Sequence, residues 1–187
     1  MHGGRTTKMV GLAAVLVGLL VQPAVAHSDD TEARADEPNL EAFEGHYIYA
    51  GGERQKQEIR DEIEAATEDL NIALRGLARR KIWQSQEPST MMTIVVDGDD
   101  ISIVRSGGKA EFIGRIGGKT FAVDKKYRGR FKWRNGKLMV DITGGDQHTM
   151  VRFTVNPERR TVTLRTTIEH DMLPRAVRIK KTFRAVG

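Results

Sequence analysis

From Met91 to the C-terminal end, apolar residues recur at every second position, with turn residues between the runs. The runs read "MMTIVV", "ISIVR", "AEFIGRI", "KTFAVD", "YRGRFKWR", "KLMVDIT", "QHTMVRFTV", "TVTLRTTIEH" and "PRAVRIKKTFRAV". Period-2 runs separated by Asp-Gly, Gly-Gly, Asn-Gly and Asn-Pro at about 8–12-residue spacing predict sequential antiparallel hairpins. An earlier run, "FEGHYIYA" at 43–50, predicts one more strand, with Phe43, Tyr47 and Tyr49 on a shared face. Between that strand and Met91 the period changes. Ile59, Ile63, Ala66, Leu70, Ala73, Leu74 and Leu77 follow helical spacing, which predicts a helical segment over 53–84. One unbroken helix of about 30 residues would run about 45 Å, too long for a domain of this size. Two pieces are therefore expected, broken at Gly76 or at Asp69–Asn71.

An open sheet of ten strands would leave two long unpaired edges, and closure removes them. The expected fold is mainly β: a ten-stranded antiparallel meander barrel with a helical insertion after the first strand. A β-sandwich shows the same alternation and stands as the alternative. The stretch "YRGRFKWRNGK" illustrates what the period decides. Arg128, Arg130, Lys132 and Arg134 alternate with Phe131 and Trp133. In a strand the two sets point to opposite faces, so no single face can both stack bases and hold phosphates as single-strand binders do. Nucleic acid is not an expected partner.

The first residues change the setting. Arg5 and Lys8 precede an apolar run over 9–21, and Ala24-Val25-Ala26 follows Pro23. That is the layout of a secretory signal peptide, here 1–26, and the run is shorter than a membrane span needs. Cleavage would leave no transmembrane segment, and the expected location is periplasmic or extracellular. Residues 27–40 are polar and acidic and read as a flexible lead-in, and 41–187 as a single barrel domain. The chain has no cysteine, which removes disulfides and thiolate chemistry. Charge is unevenly spread: 14 acids against 4 bases over 27–69, then 24 bases against 11 acids over 70–187. A basic exterior of that kind attracts anionic partners.

One strand, a helical insertion and a long meander resemble the calycin group, the lipocalins and fatty-acid-binding proteins, including bacterial envelope lipocalin-like proteins. Gly45-His46-Tyr47 resembles the Gly-x-Trp signature of lipocalins. Arg184, on the last predicted strand, resembles the arginine that packs across that aromatic ring. The resemblance spans roughly 43–186; tyrosine replaces tryptophan, and a Thr-Asp-x-x-Tyr hairpin and the lipocalin C-terminal helix are missing.

No motif names a reaction. His27, His46, His148 and His170 stand apart, without metalloprotease spacing, and no Gly-x-Ser-x-Gly occurs. No catalytic residue, cofactor or metal site is expected. The function expected is that of an exported, non-catalytic barrel for a small apolar or amphipathic ligand such as a lipid or fatty acid. Phe112, Phe121, Phe131, Trp133 and Phe153 would line it, and Arg184 or rim cations would meet a carboxylate. The alternative is an envelope interaction module with a filled core, docking on an anionic surface through its basic exterior. A hollow interior of a few hundred Å³ favours the first.

Overall fold

The computed structural model describes residues 38–106 and 111–187. The segment 1–26 expected to be a signal peptide, and the lead-in before residue 38, lie outside the described residues. A 3₁₀ turn (Glu41–Phe43) leads into β1 (Gly45–Tyr49), followed by α1 (Gly52–Thr67) and α2 (Ile72–Gln86). Nine strands complete the chain: β2 (Met91–Asp97), β3 (Asp100–Arg105), β4 (Glu111–Arg115), β5 (Phe121–Ala122), β6 (Arg128–Arg134), β7 (Lys137–Gly144), β8 (Gln147–Asn156), β9 (Thr161–His170) and β10 (Val177–Ala185).

The hydrogen-bonded order is β4-β3-β2-β1-β10-β9-β8-β7-β6-β5, antiparallel throughout. The first strand joins the last, so one continuous sheet rolls into a nearly closed barrel, and the sandwich alternative falls away. Closure stops short between β4 and β6. There the backbones meet at one bridge, Ile116 with Phe131, and at the Gly117 amide, which donates to the Phe131 carbonyl at 3.3 Å. Side chains seal the rest of that seam. Phe121 sits 5.1 Å from Phe131 and 6.0 Å from Phe112, centroid to centroid. Its ring occupies space that a Cβ at Gly114 or Gly129 would need, so these two glycines are what let an aromatic ring lie across the gap.

The predicted alternation is realised. Phe131, Leu138, Val140, Phe153 and Val162 are buried, while Arg128, Arg130, Lys132 and Arg134 are exposed. Asn135 and Gly136 carry φ of 52° and 66°, the left-handed pair a two-residue hairpin requires. Two local expectations are corrected. Phe43 belongs to the 3₁₀ turn before β1, where it packs into the base of the core. Gly76 lies inside α2 and breaks nothing. The helices separate at 68–71, where the Asn71 side chain accepts from the Leu74 amide at 3.0 Å and caps α2.

The two ends are closed differently. At the base, Leu40, Phe43 and Tyr47 are buried. The Tyr47 hydroxyl donates to the Phe43 carbonyl at 2.8 Å, which pins the turn across the opening. At the mouth, α1 places Ile59, Ile63 and Ala66 on Ile168, Val177 and Ile179. α2 adds only the half-buried Ile82 and Trp83, and none of its residues is fully buried. Among the described residues no helix is long and apolar enough to cross a membrane.

Candidate functional site

Strand parity decides which side chains enter the barrel. β3 sends Ile101, Ile103 and then Arg105 inward. β10 sends Ile179, Lys181 and Phe183 inward. Two cations therefore enter a lumen whose other inward side chains are mostly apolar, with Thr149 and Thr166 among them. Lys181 is 2 % exposed, and its Nζ donates at 3.1 Å to Oε1 of Gln86 at the end of α2. Arg105 lies beside the Phe112 ring, with Cζ 5.8 Å from its centroid, and burial lowers its pKa. Around them sits an enclosed space of about 50 Å³, bordered by Phe112, Phe153, Leu164, Thr149, Thr166 and Gln86. The lumen thus has a polar cationic end and an aliphatic and aromatic body.

A second recess, of about 220 Å³, lies between α2 and the rim. Leu70, Leu74, Leu77 and Ile82 face Ile168, Met172 and Leu173 across it. A larger depression, about 620 Å³, is an open groove at the base, where Phe43, Trp133, Lys137, Val155 and Arg160 meet. The Tyr47 and Phe43 plug forms part of its floor, so it lies on the outside of the closed end.

These positions distribute the sequence-predicted lining. Phe112 and Phe153 border the enclosed space. Phe121 and Phe131 belong to the seam, with Phe131 1 % exposed and committed to packing. Trp133 is at the opposite end: its ring meets Phe43 edge-on at 6.1 Å, and its buried Nε1 has no hydrogen-bond partner among the described residues. Arg184 points outward. It pairs with Ile48, whereas Tyr47 pairs with Ala185, so the guanidinium is on the far side of the sheet from the Tyr47 ring. The role implied by the lipocalin arginine fails here by one residue of register. The tyrosine closes the base by a different device, its hydroxyl bond to the 3₁₀ turn. The interior cations escaped the sequence reading, although a signal existed. In "ISIVR" and "RIKKTF" the inward parity runs Ile, Ile, Arg and Ile, Lys, Phe, so a charge interrupts each apolar face.

A nearly closed antiparallel barrel of ten strands, with two helices inserted after the first, defines a calycin-like fold. No protein-family model matches the sequence, and no curated protein matches it. Solved structures do. The fluorescent protein UnaG superposes with a TM-score of 0.51 at 13 % identity, over 79 % of this chain and 99 % of UnaG. A secretary abundant heat soluble (SAHS) protein from Ramazzottius varieornatus gives 0.49 at 10 % identity, over 78 % of this chain and 96 % of its own. At such identity the likeness to UnaG is one of fold alone.

Proposed function

We propose that this protein is an exported, non-catalytic carrier or buffer for a small amphipathic anion, a fatty-acid-like molecule, held inside the barrel. The observation that carries the reading is the inward pair Arg105 and Lys181 at one end of a lumen whose body is aromatic and aliphatic. A ligand with an acidic head and an apolar tail matches the arrangement: the head meets the cations, and the tail lies among Phe112, Phe153 and Leu164.

The space of about 50 Å³ is smaller than such a ligand, and that favours the filled-barrel alternative as the resting state. α2 reconciles the two. It covers the mouth with no fully buried residue, and its last side chain, Gln86, occupies the hydrogen-bonding position on Lys181 that a carboxylate would take. Displacing α2 would vacate that position and join the lumen to the recess under Leu74 and Leu77. Elements with little buried area are the ones that open first. Export rests on the signal-like sequence at 1–26.

The test pairs a fluorescent fatty acid with its methyl ester, titrated into the purified barrel and its Lys181→Met variant, alongside mass spectrometry of the organic extract. The parent binds the acid. The variant loses most affinity for the acid and keeps its affinity for the ester. A parent that binds neither probe and carries no extractable lipid would leave the filled-barrel reading in possession.

A further inference from the structure

The outer wall carries a feature that interior ligand binding does not use. Arg152 on β8 pairs directly with Arg165 on β9, and Arg165 pairs directly with Lys180 on β10. Three cations thus stand side by side across three strands at the sheet spacing of about 4.8 Å. Arg178 is two residues along β10 on the same outward face. Like charges directly opposite one another destabilise a sheet, and this row has two such contacts in succession. Elsewhere on the wall the sequence supplies counter-ions: Lys132 is paired with Asp141, His148 lies between Asp141 and Glu169, and Arg115 is bonded to Asp100. Among the described residues none of Arg152, Arg165, Arg178 and Lys180 makes an ion pair. The nearest acid of α1, Glu62, is committed to the Arg175 guanidinium and the Arg178 amide. The row borders a depression of about 190 Å³, into which Thr167 also faces.

We propose that this row is a binding site for a linear polyanion of phosphate groups, of the polyphosphate class. Three observations select that chemistry. Guanidinium forks match phosphate oxygens bidentately, and two of the three cations in the row are arginines. The charges lie in a line set by the sheet, which suits a repeating anion better than a single one. The apolar side chains at its border are the buried Ile179 and the half-exposed Met150, with no aromatic among them, so it lacks the aromatic anchors that protein partners and inserting membrane contacts use. The inference is independent of what the lumen holds.

The experiment titrates tripolyphosphate, a longer polyphosphate and orthophosphate into the parent protein at two salt concentrations. Two triple variants follow: Arg152→Gln/Arg165→Gln/Lys180→Gln, and a control with the same charge change, Lys119→Gln/Lys125→Gln/Lys126→Gln. The parent binds the longer chain more tightly than tripolyphosphate, and orthophosphate weakest. The first triple loses at least about tenfold in affinity, and its logarithmic salt dependence flattens by roughly 2–3, about one per phosphate contact removed. The control keeps both. Arg165→Glu is a second, independent variant: it converts the row to alternating sign, so it raises the melting temperature while abolishing binding. Equal losses in the two triples would reduce the effect to net charge and overturn the site. So would a parent that fails to bind polyphosphate, or a first triple that loses binding to anionic phospholipid vesicles while keeping polyphosphate.

Discussion

The base and the mouth of the barrel solve the same problem, covering an apolar interior, with opposite materials. The base uses a single 3₁₀ turn, yet Leu40, Phe43 and Tyr47 are each no more than 4 % exposed, and a buried hydroxyl bond fixes the turn. The mouth uses two helices. The second leaves Ile72 87 % exposed, with Leu74 and Leu77 also exposed. The first, α1, commits Ile59, Ile63 and Ala66 to the core, whereas α2 commits no fully buried residue; what counts is the apolar area each element buries. The base is sealed by buried side chains, whereas α2 at the mouth is held by half-buried ones.

The comparison breaks most simply if the base tolerates truncation. Phe43→Ala removes a ring packed on Trp133 and the core. Aromatic-to-alanine changes in cores cost about 3–5 kcal/mol, so urea denaturation should show a loss of that order. Leu77→Ala on α2 should fall within about 0.5 kcal/mol of the parent, the usual range for surface positions. Equal losses at the two sites would mean that α2 is as much a part of the cooperative core as the base turn.

The seam is intermediate between the two ends, since one backbone bridge and a plug of side chains close it. Gly129→Ala puts a methyl group into the Phe121 ring. Overpacking of this kind costs about 1–3 kcal/mol. Phe121→Leu in the same chain should recover part of it by yielding the space, and a double-mutant cycle measures that coupling. If the changes simply add, Phe121 is not the plug.

Much of this architecture was legible from period alone. Ten strand segments, the two-piece helical insertion and the facing of Phe131 against Lys132 all follow from alternation and turn chemistry. Those are local signals, and the structure keeps them because a one-residue slip would turn a whole apolar face outward. The candidate site was less legible. The aromatic positions were found, but their distribution among lumen, seam and base depends on which strands become neighbours after closure, which no local pattern states. Arg184 shows the limit. Its place on the last strand was right, and its face was wrong, because the pairing of Ile48 with Arg184 is a long-range register. Arg105 and Lys181 show the reverse, a local signal present and unread. Phe43 slipped from strand to turn because one residue at an element boundary is the scale on which period reasoning is weakest.

The cap on α2 probes the mouth more gently. The Asn71 side chain holds the Leu74 amide, and replacing such a cap by alanine costs about 1 kcal/mol. If α2 opens separately from the barrel, Asn71→Ala should speed amide exchange within Ile72–Gln86 and leave the β7–β9 amides at the parent rate. It should also speed entry of a fatty-acid probe. Uniform acceleration across the protein would place α2 inside the global unfolding unit and remove it as a lid.

The smallest effect concerns acid, and it separates the wall from both ends. Desolvation raises the pKa of Asp141, but hydrogen bonding and attraction from Lys132, with a contribution from His148, outweigh it and leave the carboxyl below its ordinary value. A carboxylate whose folded pKa is depressed binds protons less readily than in the unfolded chain. Its contribution is present above the unfolded value, about 3.9, and is lost as pH falls through the folded one. Melting temperature should therefore decline below about pH 4, and Asp141→Asn should flatten part of that decline. The variant should start lower at neutral pH, where Lys132 has lost its partner. Because Asp141 faces outward on β7 and its partners Lys132 and His148 belong to the wall, the same variant should leave α2 exchange and probe entry untouched. A change in either would show that the wall and the mouth are coupled, and that the lid is held by more than its own thin contact.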